Sequence, residues 1–140
     1  MLRSGRRRTP AVLANKMLTA MCIVARTDGY VEGEETRAIR YAYAKLTGQT
    51  LSDQKIQAAL HGAPAVTSAA DLGTLASGLN EAGRQTVMRA ALLVACVDGE
   101  IQEAEYRVIS LMSQALVVPA PQIRSMLQDF AGLLNPPATA

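Results

Sequence analysis

The sequence repeats one stretch after seventy positions, and this duplication constrains the fold more than any other feature. Residues 17–39 read MLTAMCIVARTDGYVEGEETRAI, and residues 87–109 read VMRAALLVACVDGEIQEAEYRVI. Each copy is an apolar run that ends at Asp-Gly and continues into an acid-rich segment, with the shared pattern D-G-x-[VI]-x-x-x-E-x-R-x-I. An internal repeat of this kind indicates that one supersecondary unit occurs twice in the fold.

Both apolar runs are predicted to be buried helices. Their apolar residues cover nearly the whole helical circumference, and a helix of that kind is enclosed on every side. An apolar content of 49% with only 4% aromatic residues also favours close-packed helices over a sheet. We therefore expect helices one and five to lie side by side at the centre. The predicted helices lie at about residues 11–27, 32–47, 53–62, 67–79, 81–97, 102–116 and 120–132.

The fold class that follows is all-α, a seven-helix bundle built from two similar three-helix halves related by a pseudo-two-fold axis. In this scheme helix seven corresponds to helix three, so that Ile123 and Leu127 stand for the apolar residues Ile56 and Leu60. Equivalent helices of a duplicated unit usually meet about such an axis. The two Asp-Gly corners are then expected to be neighbours.

A chain of 140 residues is predicted to form a single domain, because this length allows one hydrophobic core. Residues 1–10 are expected to be a basic flexible tail, residues 11–134 the helical domain, and residues 135–140 a disordered C-terminal tail. The first 27 residues contain no acid and so resemble a targeting segment in composition. The repeat, however, aligns their apolar part with an internal helix, which favours a domain helix preceded by a loose basic tail.

The charge distribution argues against nucleic acid as a partner. Four of the fourteen basic groups are arginines of the N-terminal tail, and from residue 9 onward ten basic residues are set against twelve acidic ones. A nucleic-acid-binding domain is expected to carry a basic cluster on its folded body. The sequence also predicts no membrane span. Cys22 and Cys96 lie in apolar runs and are expected to be reduced thiols of a cytoplasmic protein.

Acidic residues concentrate at the two corners, since eight of the twelve lie in residues 28–35 and 98–105. The pattern matches the second half of a calcium-binding EF-hand loop. The first half is absent, because the first loop position would fall on Val24 in one copy and on Val94 in the other. These residues continue an apolar helix and offer no oxygen ligand, so an EF-hand is not expected.

The corners can instead combine into one site between the two copies. Four carboxylates would contribute to it: Asp28, Glu35, Asp98 and Glu105. If they lay within about 5 Å of one another, each pair would repel by about 3 kcal/mol at an effective dielectric of about 20. The cluster would therefore need a cation or nearby arginines. Oxygen ligands suit hard divalent ions such as Ca²⁺, Mg²⁺ or Mn²⁺.

A second interpretation needs no metal. An Asp at a helix corner accepts backbone N–H bonds, and Glu residues in a first turn interact favourably with the helix dipole. The chain would then be a helical scaffold that binds other proteins or a second copy of itself. Neither interpretation makes it an enzyme, because its serines have no visible base, no glycine-rich phosphate loop is present, and His61 is its one histidine.

The two corner segments, ARTDGYVEGEETRAI and ACVDGEIQEAEYRVI, resemble the signature of the TerB-like family of tellurite-resistance domains. The resemblance covers about residues 11–132. It implies an all-helical, cytoplasmic, stress-associated domain whose acidic corner residues bind a divalent cation. Gly33 and Arg26 depart from the family pattern at the first corner. Carried over by position, the cation-binding role falls on Asp28, Glu35, Asp98 and Glu105.

Overall fold

The computed structural model describes residues 9–27, 32–63, 66–97, 101 and 103–134, with the side chains of 32–35 and 132–134 outside this description. The elements in chain order are α1 (Ala11–Thr27), α2 (Glu32–Thr47), α3 (Asp53–Gly62), a 3-10 segment η1 (Ala69–Leu72), α4 (Gly73–Ala76), α5 (Glu81–Val97), α6 (Glu103–Leu116) and α7 (Ala120–Leu134). No strand occurs within these ranges, so the predicted all-α class is confirmed there. Both predicted tails lie outside the described residues apart from Thr9 and Pro10.

α1 and α5 form the centre of the molecule, as their sequences predict. They make the most extensive helix–helix contact in the described chain. Residues 17–25 of α1 and 87–95 of α5 are buried, and the two exceptions, Thr19 and Arg89, occupy equivalent positions of the repeat. Each large apolar side chain removed from water in this way stabilises the fold by about 1.5–3 kcal/mol. The central helix pair is therefore the main source of stability.

Side-chain caps define where two of the helices begin. Ser52 caps α3, since its hydroxyl oxygen accepts a hydrogen bond of 3.1 Å from the N–H of Lys55. Asn80 caps α5 in the same manner, because its side-chain oxygen accepts a bond of 2.8 Å from the N–H of Gly83. Such caps satisfy N–H groups that have no acceptor within their own helix.

The predicted fourth helix, residues 67–79, is shorter than expected and divided into η1 and the single turn of α4. Oδ2 of Asp71 accepts hydrogen bonds from the N–H and the hydroxyl of Thr67, at 2.9 and 3.1 Å. With the bond of 3.2 Å from the N–H of Ser68 they belong to a capping box, so the helical turns begin only after Ser68. Leu72 and Leu75 are nevertheless buried, so the segment is attached to the core.

α3 packs on α1, and α7 packs on α5. The sequence pattern matches Ile123 and Leu127 of α7 with the core residues Ile56 and Leu60, but the observed burial does not follow this alignment. Met126 and Phe130 are the buried residues, whereas Ile123 and Leu127 are only partly buried. Met126 lies seventy positions after the buried Ile56, so the spacing of the repeat continues unchanged through α7.

The second helices of the two halves have similar but not identical neighbours. α2 packs on α1 and α5, and α6 packs on α5 and α1. In addition α2 contacts α3, whereas α6 packs against η1 and α4. The segment that joins the two halves thus covers part of the second half.

Candidate acidic corner site

The predicted site contains four carboxylates, of which the structure describes one side chain, that of Glu105. Asp28 and Asp98 lie outside the described residues. Glu35 belongs to α2, but its side chain is also outside the description. The described part of the site therefore consists of Glu105, the last turns of α1 and α5, and the residues that surround them.

Glu105 is buried in α6, with only 1% of its surface exposed, whereas Glu103 in the same first turn is exposed. The spacing explains this difference, because Val108 and Ile109, three and four residues later, are buried on the same face. Burial of a carboxyl group is costly unless hydrogen bonds or opposite charge stabilise it. Glu105 has interaction partners in the fold. Its burial could have been inferred from this helical spacing, and the sequence analysis missed it.

Cys96 relates Glu105 to the second corner. This half-buried thiol lies in the last turn of α5, two residues before Asp98. Burial and, secondarily, the negative charge of Glu105 raise the pKa of the thiol. A neighbouring charge shifts a pKa appreciably only at short range. The negative charge of Glu105 thus acts on the last turn of α5, which leads into the corner.

The first corner has a different chemical character. Arg26 occupies the position equivalent to Cys96, and its Nη1 donates a hydrogen bond of 2.7 Å to the carbonyl oxygen of Leu60. This bond joins the last turn of α1 to the last turn of α3. Thr36 of α2 is buried, and its hydroxyl oxygen accepts a hydrogen bond of 3.0 Å from Nε2 of Gln57 in α3. A guanidinium group thus stands at the end of α1, where α5 carries an uncharged thiol.

α1 and α5 begin at the same end of the molecule. Leu13 of α1 lines the same groove as Gly83 and Thr86 of α5. Both helices contain seventeen residues and pack extensively on each other, so both run away from this groove in the same general direction. Their last residues, Thr27 and Val97, each precede an Asp-Gly corner in the sequence.

The remainder of the described chain offers no competing metal centre. Within the described ranges, no group of three or more His, Cys, Asp or Glu side chains is arranged to hold a metal ion. Three of the four predicted ligand side chains lie outside those ranges. Of the described helices, none combines the length and the apolar character that crossing a membrane requires.

Comparison with known protein families identifies a match. The family model described as Tellurite resistance protein TerB matches residues 14–128. This span includes both corner segments and both central helices. No curated protein and no solved structure matches the chain significantly.

Proposed function

The chain belongs to the TerB family, and on this premise we propose that it is a non-enzymatic, cytoplasmic stress-response module that binds a divalent cation. Family membership relates the chain to tellurite resistance. The cation, Ca²⁺, Mg²⁺ or Mn²⁺, links the two halves where α1 leads into α2 and α5 leads into α6. The proposed ligands are the carboxylates of Asp28, Glu35, Asp98 and Glu105.

The observation that carries this proposal is the burial of Glu105 at the acidic position of the repeated motif. Of the two glutamates in the first turn of α6, Glu105 matches the motif and is buried, whereas Glu103 is exposed. Interaction with the helix dipole is available to a carboxylate at the surface. Interaction with the helix dipole therefore accounts for the exposed Glu103, but it does not require that Glu105 be buried. A ligand carboxylate, in contrast, must approach the corner closely.

The packing of the two halves supports a site shared between them. Each half places its first helix at the centre, its second helix across both central helices, and its third helix on its own first helix. This arrangement is the one expected of two units related by a pseudo-two-fold axis. Because α1 and α5 begin at one groove, their corners follow from the opposite ends of the same helix pair. Carboxylates gathered there repel one another unless a cation neutralises them.

Thermal unfolding in the presence of divalent cations tests the proposal. An ion that binds only the folded state stabilises it by about 2.7 kcal/mol when its concentration is about 100 times its Kd. Millimolar Ca²⁺, Mg²⁺ or Mn²⁺ is therefore expected to raise the Tm of the chelator-treated chain by several degrees. Isothermal titration calorimetry on the same sample is expected to give a stoichiometry of about one ion per chain.

Variants in which a neutral amide replaces one carboxylate identify the ligands. Glu105→Gln and Asp98→Asn are expected to abolish the cation-induced rise in Tm. Glu103→Gln is the control, because Glu103 lies in the same helical turn but is exposed, and it is expected to leave the rise unchanged. The proposal fails if no divalent cation shifts Tm, or if the Glu105→Gln and Glu103→Gln variants respond alike.

A metal-free scaffold for protein–protein interaction or self-association is the second candidate function. It is favoured by the exposure of Val12, which is 62% exposed at the groove between α1 and α5. Under this alternative, chelation leaves Tm and oligomeric state unchanged. Analytical ultracentrifugation with chelator and with each cation distinguishes the two functions.

A further inference from the structure

One side of α6 is open to solvent, whereas the equivalent side of α2 is covered. Four positions at helical spacing form a stripe along this side of α6 and its C-terminal end: Tyr106, Ser110, Ser113 and Val117. Tyr106 is 58% exposed and Val117 is 71% exposed. The positions seventy residues earlier include the buried Thr36 and Tyr43 on α2, which packs against α3. The second half therefore exposes apolar surface where the first half encloses it.

Two polar contacts hold α3 against α2 in the first half. The guanidinium group of Arg40 forms an ion pair with the carboxylate of Asp53. The hydroxyl oxygen of Thr36 accepts a hydrogen bond of 3.0 Å from Nε2 of Gln57. Asp53 and Gln57 are four residues apart, so both side chains reach α2 from one side of α3.

The second half has no equivalent of these contacts. Seventy positions on, Ile123 stands in place of Asp53 and Leu127 in place of Gln57. Neither side chain can form a polar contact, and in the described chain α6 does not pack against α7 as α2 packs against α3. Ile123 and Leu127 remain only partly buried. Together with the stripe on α6 they form an apolar surface, the α6–α7 face.

Val117 supplies an independent sign that this face has a partner. It adopts a left-handed φ of 57°, and most of its side chain is exposed. This conformation is costly for a residue with a Cβ atom, and an exposed side chain gains little from packing within its own chain. Residues held in sparsely populated backbone conformations concentrate at functional sites. Contact with a second molecule would give this apolar side chain a role.

Opposite charges lie at the two ends of the α6–α7 face. Glu103 stands three residues before Tyr106, and Arg124 stands three residues before Leu127; both are exposed. Neither belongs to an ion pair within the described chain. Glu103 begins α6, about 20 Å along the helix axis from Val117. Arg124 lies in the second turn of α7, near the connection between the two helices.

This arrangement of charge is complementary to a second copy of itself. A two-fold axis through the middle of the face exchanges its ends, so that Glu103 of each copy lies opposite Arg124 of the other. In a two-fold dimer the same surface patch is used by both copies, and dimers of this kind are the commonest homo-oligomers. A partner of uniform charge would match only one end of the face.

We propose that the α6–α7 face binds a second copy of this chain and forms a two-fold dimer. Tyr106, Ile123 and Leu127 supply the apolar centre of the interface, and the pairs of Glu103 with Arg124 lie at its margins. An apolar, aromatic centre with a polar rim is the usual composition of protein interfaces. The dimer is compatible with a cation at the acidic corners, because Glu105 lies on the buried side of α6.

Analytical ultracentrifugation of the chelator-treated, full-length chain at increasing concentration tests this interface. The natural chain is expected to show a monomer–dimer equilibrium. Tyr106→Ser is expected to raise the Kd of the dimer about tenfold or more, because it removes an aromatic contact from the centre. Tyr41→Ser is the matched control and is expected to dimerise normally, because Tyr41 is also an exposed tyrosine but lies on α2.

Charge reversal at the margins tests the two-fold geometry itself. Glu103→Arg alone and Arg124→Glu alone are each expected to weaken the dimer, because like charges then meet at both margins. An equimolar mixture of these two variants is expected to regain the affinity of the natural chain, because every reversed residue then faces an opposite charge. Both residues are exposed, so the variants are expected to fold, and circular dichroism checks this.

Several results would overturn the proposal. A natural chain that stays monomeric at every concentration would leave the face to a different protein. A dimer that Tyr106→Ser does not weaken, or charge variants that associate no better when mixed, would place the interface elsewhere. Dimerisation that appears only when glycine and serine replace residues 135–140 would identify that segment as the occupant. The cation proposal is judged from Tm, so it succeeds or fails separately.

Discussion

The two halves of the chain have closely similar central helices, α1 and α5, but the elements that surround these helices differ. α1 and α5 are buried at equivalent positions, and even the exceptions, Thr19 and Arg89, correspond. The second helices differ, since Leu116 of α6 is 0% exposed whereas the equivalent Leu46 of α2 is only half-buried. α6 packs against η1 and α4, and α2 packs against α3. A duplicated pattern thus reproduces the core, where the copies bury each other, but not the periphery, where each meets a different element.

Truncation of the equivalent leucines is the strongest test of this difference. Leu116→Ala is expected to lower the free energy of unfolding by about 3 kcal/mol, because it leaves a cavity at a fully buried site. Leu46→Ala is expected to cost about 1 kcal/mol, because its side chain already contacts solvent. Urea denaturation of both variants measures the two losses. Equal losses would show that the peripheries of the halves are packed equally well.

The ends of the second helices differ in their use of left-handed backbone. Gly48 follows α2 with a φ of 76°, and Val117 follows α6 with a φ of 57°. Two hydrogen bonds close the end of α6, from the N–H of Val117 to Gln114 and from the N–H of Val118 to Ser113. This is the Schellman motif, in which glycine is the usual left-handed residue. The second half therefore carries backbone strain that the first half avoids.

Exchanging the residue types at these two helix ends is expected to have opposite effects. Val117→Gly is expected to raise the free energy of unfolding by about 1 kcal/mol, because a left-handed conformation costs a β-branched residue more than it costs glycine. Gly48→Ala is expected to lower it by about 1 kcal/mol for the same reason. No atom lies within 4 Å of a Cβ built at Gly48, so the loss there reports backbone strain alone. Chemical denaturation checks both, and a neutral Val117→Gly would show that its strain is relieved elsewhere.

The final turns of the central helices offer a smaller contrast. Arg26→Ala is expected to cost about 1 kcal/mol, because it removes the hydrogen bond to the carbonyl oxygen of Leu60. Cys96→Ala is expected to cost about 0.5 kcal/mol, because a half-buried thiol contributes little packing. Thermal unfolding of the two variants gives the difference. A larger loss for Cys96→Ala would mean that the second corner depends on its thiol.

The smallest expected effect concerns the η1 segment that joins the halves. Hydrogen bonds from the backbone and the hydroxyl of Thr67, and from the backbone of Ser68, lower the pKa of Asp71 below its ordinary value. The stability gained from its ionised form is fully present above about pH 4 and is lost as the pH falls through the lower folded-state pKa. The Tm of Asp71→Asn is therefore expected to be slightly below that of the natural chain at neutral pH and to converge with it in acid. A gap that persists in acid would assign the effect to something other than the charge.

Much of the helical framework could be predicted from local pattern, and the exceptions have specific causes. The apolar circumference of residues 17–25 and 87–95 predicted the central pair, which the structure confirms. The leucine spacing of 67–79 predicts one helix, but the capping box of Ser68 and Asp71 starts the helical turns later, and they end at Ala76. At the candidate site, the repeated motif identified the four acidic positions, but the burial of Glu105 was not predicted.

The sequence by itself determined an all-α fold and which two helices are central, because an apolar surface on every side of a helix must be enclosed whatever its neighbours are. Only the tertiary structure decided that η1 and α4 pack against α6 and that a groove opens where α1 and α5 begin. These features depend on which element lies over a given face. Local periodicity shows that a face is apolar, but it does not specify the element that covers that face.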